Sequence, residues 1–280
     1  MPRTTLRISG GEADVEYDVT GSGPGLVLVH GTAATREQWR PLTEAVADRF
    51  TVVAPDCSGS GATTDHGGPL TLADLADEVL AAAEDAGLGT FHLVGHSLGA
   101  AVAAQLAATR PGRVRSLALH AGWAYTDVRL AAEFRYWLEL LRADAEHGTS
   151  LFARMLPLMA HGPRYWESVT SEANDELVGA LAGMITPGAV RQTEVNLGVD
   201  LRPVLGLITA PTLVLASAHD RVMGAHQQQA LLSGVAGARY AELDAGHGAP
   251  AEDPAGFVSV LAGFLDEQRT AGRAAPAAAG

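Results

Sequence analysis

Residues 91–101 read Phe-His-Leu-Val-Gly-His-Ser-Leu-Gly-Ala-Ala, an apolar run, a Gly-x-Ser-x-Gly pentad and a helix-forming run in direct succession. A serine on so tight a strand-to-helix turn needs a strained backbone, and residues without side chains at Gly95 and Gly99 let strand and helix approach each other. The same turn sets the N–H of Leu98 at a helix N-terminus, where it can stabilise developing negative charge. This one segment commits the chain to alternating strands and helices, with Ser97 as a candidate nucleophile.

The rest of the sequence keeps to that commitment. Short β-branched runs at 26–29, 51–53, 91–94, 116–119 and 212–215 are continuously apolar, as in strands buried on both faces of a parallel sheet. Helical patterns fall between them, notably 72–86 and 98–109, the second stopped by Arg110-Pro111. Residues 5–8 and 13–19 predict an N-terminal hairpin, 239–243 a last strand and 254–268 a closing helix. Between Trp123 and about Pro203 the alternation lapses into helical patterns at 128–147, 150–159, 174–184 and 187–197 without a convincing strand. The expected organisation is an α/β core of residues 1–122 and 204–268, a helical cap of 123–203 inserted between strands 6 and 7, and a flexible tail of 269–280.

A serine hydroxyl is a poor nucleophile until an imidazole takes its proton, and the imidazole needs a carboxylate to fix its tautomer. Asp220 follows the strand at 212–215, where open α/β sheets place their sites, and His247 follows the last strand. The position after the strand at 116–119, Gly122-Trp123, offers no carboxylate. The chain order Ser97, Asp220, His247 is that expected of an α/β hydrolase.

At this point the sequence resembles the α/β-hydrolase superfamily, and within it the cap-bearing small esterases, perhydrolase-like enzymes and enol-lactonases. The resemblance covers about residues 5–268. It rests on Val29-His30-Gly31-Thr32 with Trp39, on Gly95-His96-Ser97-Leu98-Gly99, on His219-Asp220-Arg221-Val222, and on Gly246-His247 with Glu252 and Pro254. It implies a mostly parallel eight-stranded sheet flanked by helices, and it implies that the N–H of Thr32 is the second oxyanion donor beside that of Leu98. One departure is Ser58, within Pro55-Asp56-Cys57-Ser58-Gly59-Ser60-Gly61, where the family usually has arginine; it bears on the conformation of that loop.

Trp123, directly after a strand end, is the residue most expected to touch substrate, with His30 and His120 as further pocket candidates, although bracing their loops is the more ordinary role of such histidines. Asp56 is expected to hold its loop. The aromatic and methionine residues of 134–166 fit either ordinary core or an apolar roof over the serine. No glycine cluster has the spacing of a dinucleotide fingerprint, and neither metal nor cofactor is expected. A net charge of −13 disfavours nucleic acid. Cys57 is the single cysteine, and neither a signal peptide nor 18 uninterrupted apolar residues are found, so a soluble cytoplasmic protein with a small-molecule substrate is expected. The function expected is a serine hydrolase acting through an acyl-enzyme on a small, mostly apolar ester or lactone. The alternatives are a non-hydrolytic lyase or cyclase on the same frame, or a ligand-binding module.

Overall fold

The computed structural model describes residues 1–274. Eight strands, β1 (Arg3–Ile8), β2 (Gly11–Gly21), β3 (Gly25–Val29), β4 (Thr51–Pro55), β5 (Phe91–His96), β6 (Val114–His120), β7 (Thr212–Ser217) and β8 (Arg239–Leu243), lie in the order β1-β2-β4-β3-β5-β6-β7-β8. The pairs β1–β2 and β2–β4 are antiparallel, and the sheet is parallel from β4 onward. A two-residue strand, Thr64–Asp65, pairs with β2 and makes a ninth, too short to leave a pattern in the sequence.

The parallel strands are apolar throughout because both faces are covered. Val27, Val29 and Leu93 pack with Leu75, Val79 and Leu106 on one face. Leu26, Leu28 and Val94 pack with Trp39, Phe50, Phe257 and Leu261 on the other. Helix α1 (Arg40–Val46) precedes β4, and helix α2 (Leu72–Asp85) starts with a capping box between Thr71 and Asp74, which satisfies two otherwise orphaned amides. Helix α3 (Leu98–Thr109) is alanine-rich and buried nearly all round, so it can lie close to β5 and β6.

Between β6 and β7 the chain forms α4 (Val128–His147), α5 (Leu151–Ala160), α6 (Pro163–Ser168), α7 (Ser171–Met184) and α8 (Ala189–Leu197). Helix α6 is absent from the sequence expectations; at six residues it is too short to show a period. After β7 come α9 (Ala225–Gly234), β8, the short α10 (Ala249–Glu252) and α11 (Pro254–Ala274). The expected tail boundary at 268 is therefore too early, because Ala271 and Ala274 favour helix as well as low complexity. The remainder of the expected tail lies outside the described residues. No helix among the described residues is long and apolar enough to cross a membrane.

Candidate active site

Ser97 sits between β5 and α3 with φ 53° and ψ −120°, left-handed backbone that a residue with a side chain adopts only under constraint. The constraint is packing. A Cβ on Gly95 would lie 2.1 Å from the Gly99 carbonyl oxygen, and one on Gly99 would lie 2.1 Å from that of Val29. Ser97 N–H is tied to the His120 carbonyl at 2.9 Å, so the turn is also fixed to β6.

The two expected partners converge on it from the carboxyl ends of β7 and β8. Ser97 Oγ lies 3.0 Å from His247 Nε2, and His247 Nδ1 lies 2.9 Å from Asp220 Oδ2. The other Asp220 oxygen, Oδ1, accepts the N–H groups of Val222 at 2.8 Å and Met223 at 2.7 Å, which fixes the carboxylate. A carboxylate only accepts, so His247 carries its proton on Nδ1 and offers the Nε2 lone pair to the serine hydroxyl. Glu252 Oε2 takes the amides of Gly246 at 2.8 Å and Gly162 at 3.0 Å, and Gly248 N–H donates to the Ala160 carbonyl at 2.8 Å, anchoring the histidine loop to the end of α5.

The loop after β3 passes against the serine: a Cβ on Gly31 would lie 3.2 Å from Ser97 Cβ. Among the described residues, the amides of Thr32 and Leu98 have no protein partner. Ala33, at φ 58°, instead donates its N–H to Gln192 Oε1 at 2.9 Å. Ser97, His247 and Thr32 border a cavity of about 170 Å³ whose other walls include Trp137, Leu156, Leu177, Leu181, Met184 and Val222. A shallower groove of about 480 Å³ shares Ala34, His96, Met184, Gly248 and Ala251 with it and runs on over Pro41, Pro250 and Pro254. Residues of this form and order can perform nucleophilic acyl transfer at an apolar site.

A family model for the alpha/beta hydrolase fold matches residues 24–254. The chain belongs to that family. It is 36% identical to "Pyrrolizixenacetamide deacetylase" of Xenorhabdus hominickii over 262 residues, covering 92% of this chain and 97% of that protein. It is 32% identical to "Putative carbamate hydrolase RutD" of Azorhizobium caulinodans, again over 92% and 97%. A hydrolase of known structure from Pseudomonas aeruginosa PA01 superimposes with a TM-score of 0.81 at 27% identity, covering 94% of this chain and 98% of that one.

The α/β hydrolase places the three expected pocket residues elsewhere. Trp123 is fully buried and does not border the cavity; its ring packs on Phe134 and its Nε1 donates to Thr126 Oγ1 at 2.9 Å. Its position after a strand end sets where the backbone runs, not which way the indole points. His30 braces its loop, with Nδ1 2.8 Å from the Gly31 carbonyl and Nε2 accepting Cys57 N–H at 3.0 Å. His120 lies beneath the site, with Nε2 3.1 Å from Ser217 Oγ. Trp137, one helix on, takes the wall position expected of Trp123.

Other residues of the hydrolase carry structure the sequence did not announce. Ser58, the departure noted above, donates its N–H and hydroxyl to the fully buried Glu78, whose carboxyl group burial pushes up to about 7. Gln192 Nε2 holds the Ser58 carbonyl and Ser60 Oγ, each at 2.9 Å, so one buried amide joins this loop to that of Ala33. Asp56 holds its own loop, accepting Ala62 N–H at 3.2 Å, and ties it to the segment after β3 by accepting Arg36 N–H at 2.8 Å. From α4, Arg129 donates to the carbonyls of Arg221 and Val222 beside Asp220 and pairs with Glu133 at 2.7 Å. Burial pushes Glu133 up to about 7, against the pull of Arg129.

Proposed function

We propose that this α/β hydrolase cleaves a small, mostly apolar carboxylic ester, lactone or amide through a covalent acyl-enzyme on Ser97. The observation that carries this is the chain of contacts from Ser97 Oγ to His247 Nε2 at 3.0 Å and from His247 Nδ1 to Asp220 Oδ2 at 2.9 Å, at the border of an apolar cavity. His247 takes the hydroxyl proton as Ser97 attacks the carbonyl carbon. The amides of Thr32 and Leu98 receive the negative oxygen, and His247 returns the proton to the departing alcohol or amine. Water then repeats the sequence on the acyl-serine. Asp220 stays ionised and stabilises the imidazolium.

The cavity supports the substrate class. About 170 Å³ is less than the roughly 300–1,000 Å³ of pockets for drug-sized ligands, so the portion held beside Ser97 is small. The relatives named for a deacetylase and a carbamate hydrolase extend the choice from esters to amide-like bonds. Residues 123–203 act as the cap, since Trp137, Leu156, Leu177 and Leu181 of that segment wall the cavity. We place the protein in the cytoplasm, where a single cysteine such as Cys57, buried and unpaired, stays reduced.

The test pairs labelling with turnover. A fluorophosphonate is expected to add one label to the folded protein, and p-nitrophenyl esters of short acids to be hydrolysed with an acyl-enzyme visible by intact mass. Ser97→Ala is expected to abolish the label and lower kcat by on the order of 10⁴-fold or more. Native turnover by folded Ser97→Ala would defeat the proposal.

A further inference from the structure

We propose that the Thr32 side chain is a catalytic residue: its hydroxyl is a third donor to the oxyanion, aimed by Asn196 on α8. This rests on the acyl-transfer reading of Ser97 above and adds a group to it.

Asn196 is 2% exposed, and its Nδ2 donates to Thr32 Oγ1 at 3.0 Å. Its Oδ1 is buried without a partner. Turning the amide over would let Oδ1 accept the Thr32 hydroxyl, but it would leave both N–H bonds of the NH₂ group without a partner, where now one N–H and the oxygen lack one. Buried orphan donors are rarer than under-used acceptor oxygens, so the amide donates.

A hydroxyl has one proton, and with a lone pair already engaged by Asn196 that proton must point elsewhere. Among the described residues no protein atom accepts it, while Thr32 borders the cavity beside Ser97. The backbone nitrogen and Oγ1 of a threonine are only three bonds apart, so both can serve one substrate oxygen. The neighbouring amide, that of Ala33, is already committed to Gln192.

Helix α8 makes this arrangement rigid. Gln192 and Asn196 stand one turn apart on one face of it and grip adjacent residues of the loop. The Asn196 carbonyl in turn accepts Thr126 Oγ1 at 2.5 Å, which ties α8 to the segment leaving β6. A donor so held costs little reorganisation when charge develops on the substrate oxygen, and the hydroxyl keeps its own proton throughout.

The experiment measures hydrolysis of p-nitrophenyl butyrate by the wild type, Thr32→Val, Thr32→Ala and Thr32→Ser, with fluorophosphonate labelling of each. All four keep the Thr32 amide. Thr32→Val is expected to lower kcat on the order of 10²-fold, in the range for removing one oxyanion donor, with KM changed less than about threefold. Thr32→Ala is expected to lose as much, which separates a lost donor from an added methyl that blocks the site, and Thr32→Ser to recover most of the loss. Inhibition by a butyl trifluoromethyl ketone, which mimics the tetrahedral state, is expected to weaken by a factor similar to the loss in kcat. Asn196→Ala is expected to lower kcat about tenfold alone and to add nothing in the Thr32→Val background. If Thr32→Val does not fold, Thr32→Ala against Thr32→Ser decides. Labelling at Ser97 with kcat of the hydroxyl-free variants within threefold of wild type overturns this proposal alone; neither labelling nor turnover by the wild type overturns it together with the reading beneath it.

Discussion

His96 and His120 face each other through their Nδ1 atoms at 2.8 Å, their rings stacked with centroids 4.9 Å apart. One nitrogen must donate and the other accept, so the accepting ring is neutral, and burial keeps its partner neutral as well. Burial is the first cause in each case. It brings His120 down to about 3 and holds His96 well below the ordinary histidine range, with the neighbouring histidines acting in the same sense. His92, paired with Ser116 Oγ at 2.8 Å, is brought down to about 4 by burial, with Arg115 adding to it.

These histidines make the fold sensitive to acid. The unfolded chain protonates each near the ordinary 6.5, whereas folded His92 and His120 wait until about 4 and about 3. Between those limits the unfolded state binds more protons, so stability is full above 6.5 and falls as pH drops, each group contributing up to about 1.4 kcal/mol per pH unit. Glu78 and Glu133, raised to about 7, oppose this between 7 and the ordinary carboxyl value of 4.5, because there the folded state holds the extra protons. Denaturant midpoints are therefore expected to fall slowly from pH 6.5 to 4.5 and steeply below. A midpoint independent of pH down to 4 would contradict neutral burial of these rings.

Gly99→Ala is expected to cost more than about 4 kcal/mol or to prevent folding, since the new Cβ would meet the carbonyls of Val29 at 2.1 Å and His30 at 2.6 Å, which are backbone and cannot swing aside. Soluble yield and chemical denaturation check this. A variant as stable as wild type would mean that α3 can withdraw from β3.

Gln192→Leu removes the acceptor of Ala33 N–H and the donor to Ser58 O in one step. Each stranded buried group costs about 1–3 kcal/mol, so a loss of about 2–5 kcal/mol in unfolding free energy is expected. Activity is expected to fall with it, because the loop of Thr32 and Ala33 then loses its bond to Gln192 on α8. Urea titration and kcat on the same sample test both halves.

Arg129→Ala leaves Glu133 buried without its cation and releases the carbonyls of Arg221 and Val222. Arg129 is about half exposed, so the expected loss is modest, about 1–2 kcal/mol. Arg129→Met with Glu133→Leu is expected to recover most of it, since an apolar pair needs no compensation there. A double variant no better than the single one would show that the contacts to the 221–222 backbone, not the ion pair, carry the stability.

Trp137→Ala is expected to shift preference among acyl lengths by about 1–3 kcal/mol in kcat/KM, because its side chain borders the cavity. Trp123→Ala is expected to cost about 3–5 kcal/mol in stability with a smaller change in preference. The reverse result in a p-nitrophenyl ester series would return Trp123 to the pocket.

The legibility of the site divides along physical lines. Ser97 stood out because its turn tolerates no side chain at positions 95 and 99, a constraint written in glycine. Asp220 and His247 could be found because each follows a strand of a parallel sheet, so topology alone brings them to one edge. Trp123 satisfied the same positional rule and was misplaced, since the rule orients backbone and not side chains. Gln192 and Asn196 left no signal at all. Polar residues on an amphipathic helix usually face water, and only the approach of α8 to the loops of Thr32 and Ser58 makes theirs an inward face.

The contacts of the 123–203 segment also bear on how such a molecule could be rebuilt. Its α4 holds the backbone beside Asp220, the end of α5 holds the loop of His247, and α8 holds that of Thr32. A chimaera that traded this segment for another of similar size to gain a new specificity would take away fastenings on the loops of Asp220, His247 and Thr32 together. Exchange of single wall residues such as Leu177 or Leu181 leaves those fastenings in place, and so offers the safer route to altered substrate choice.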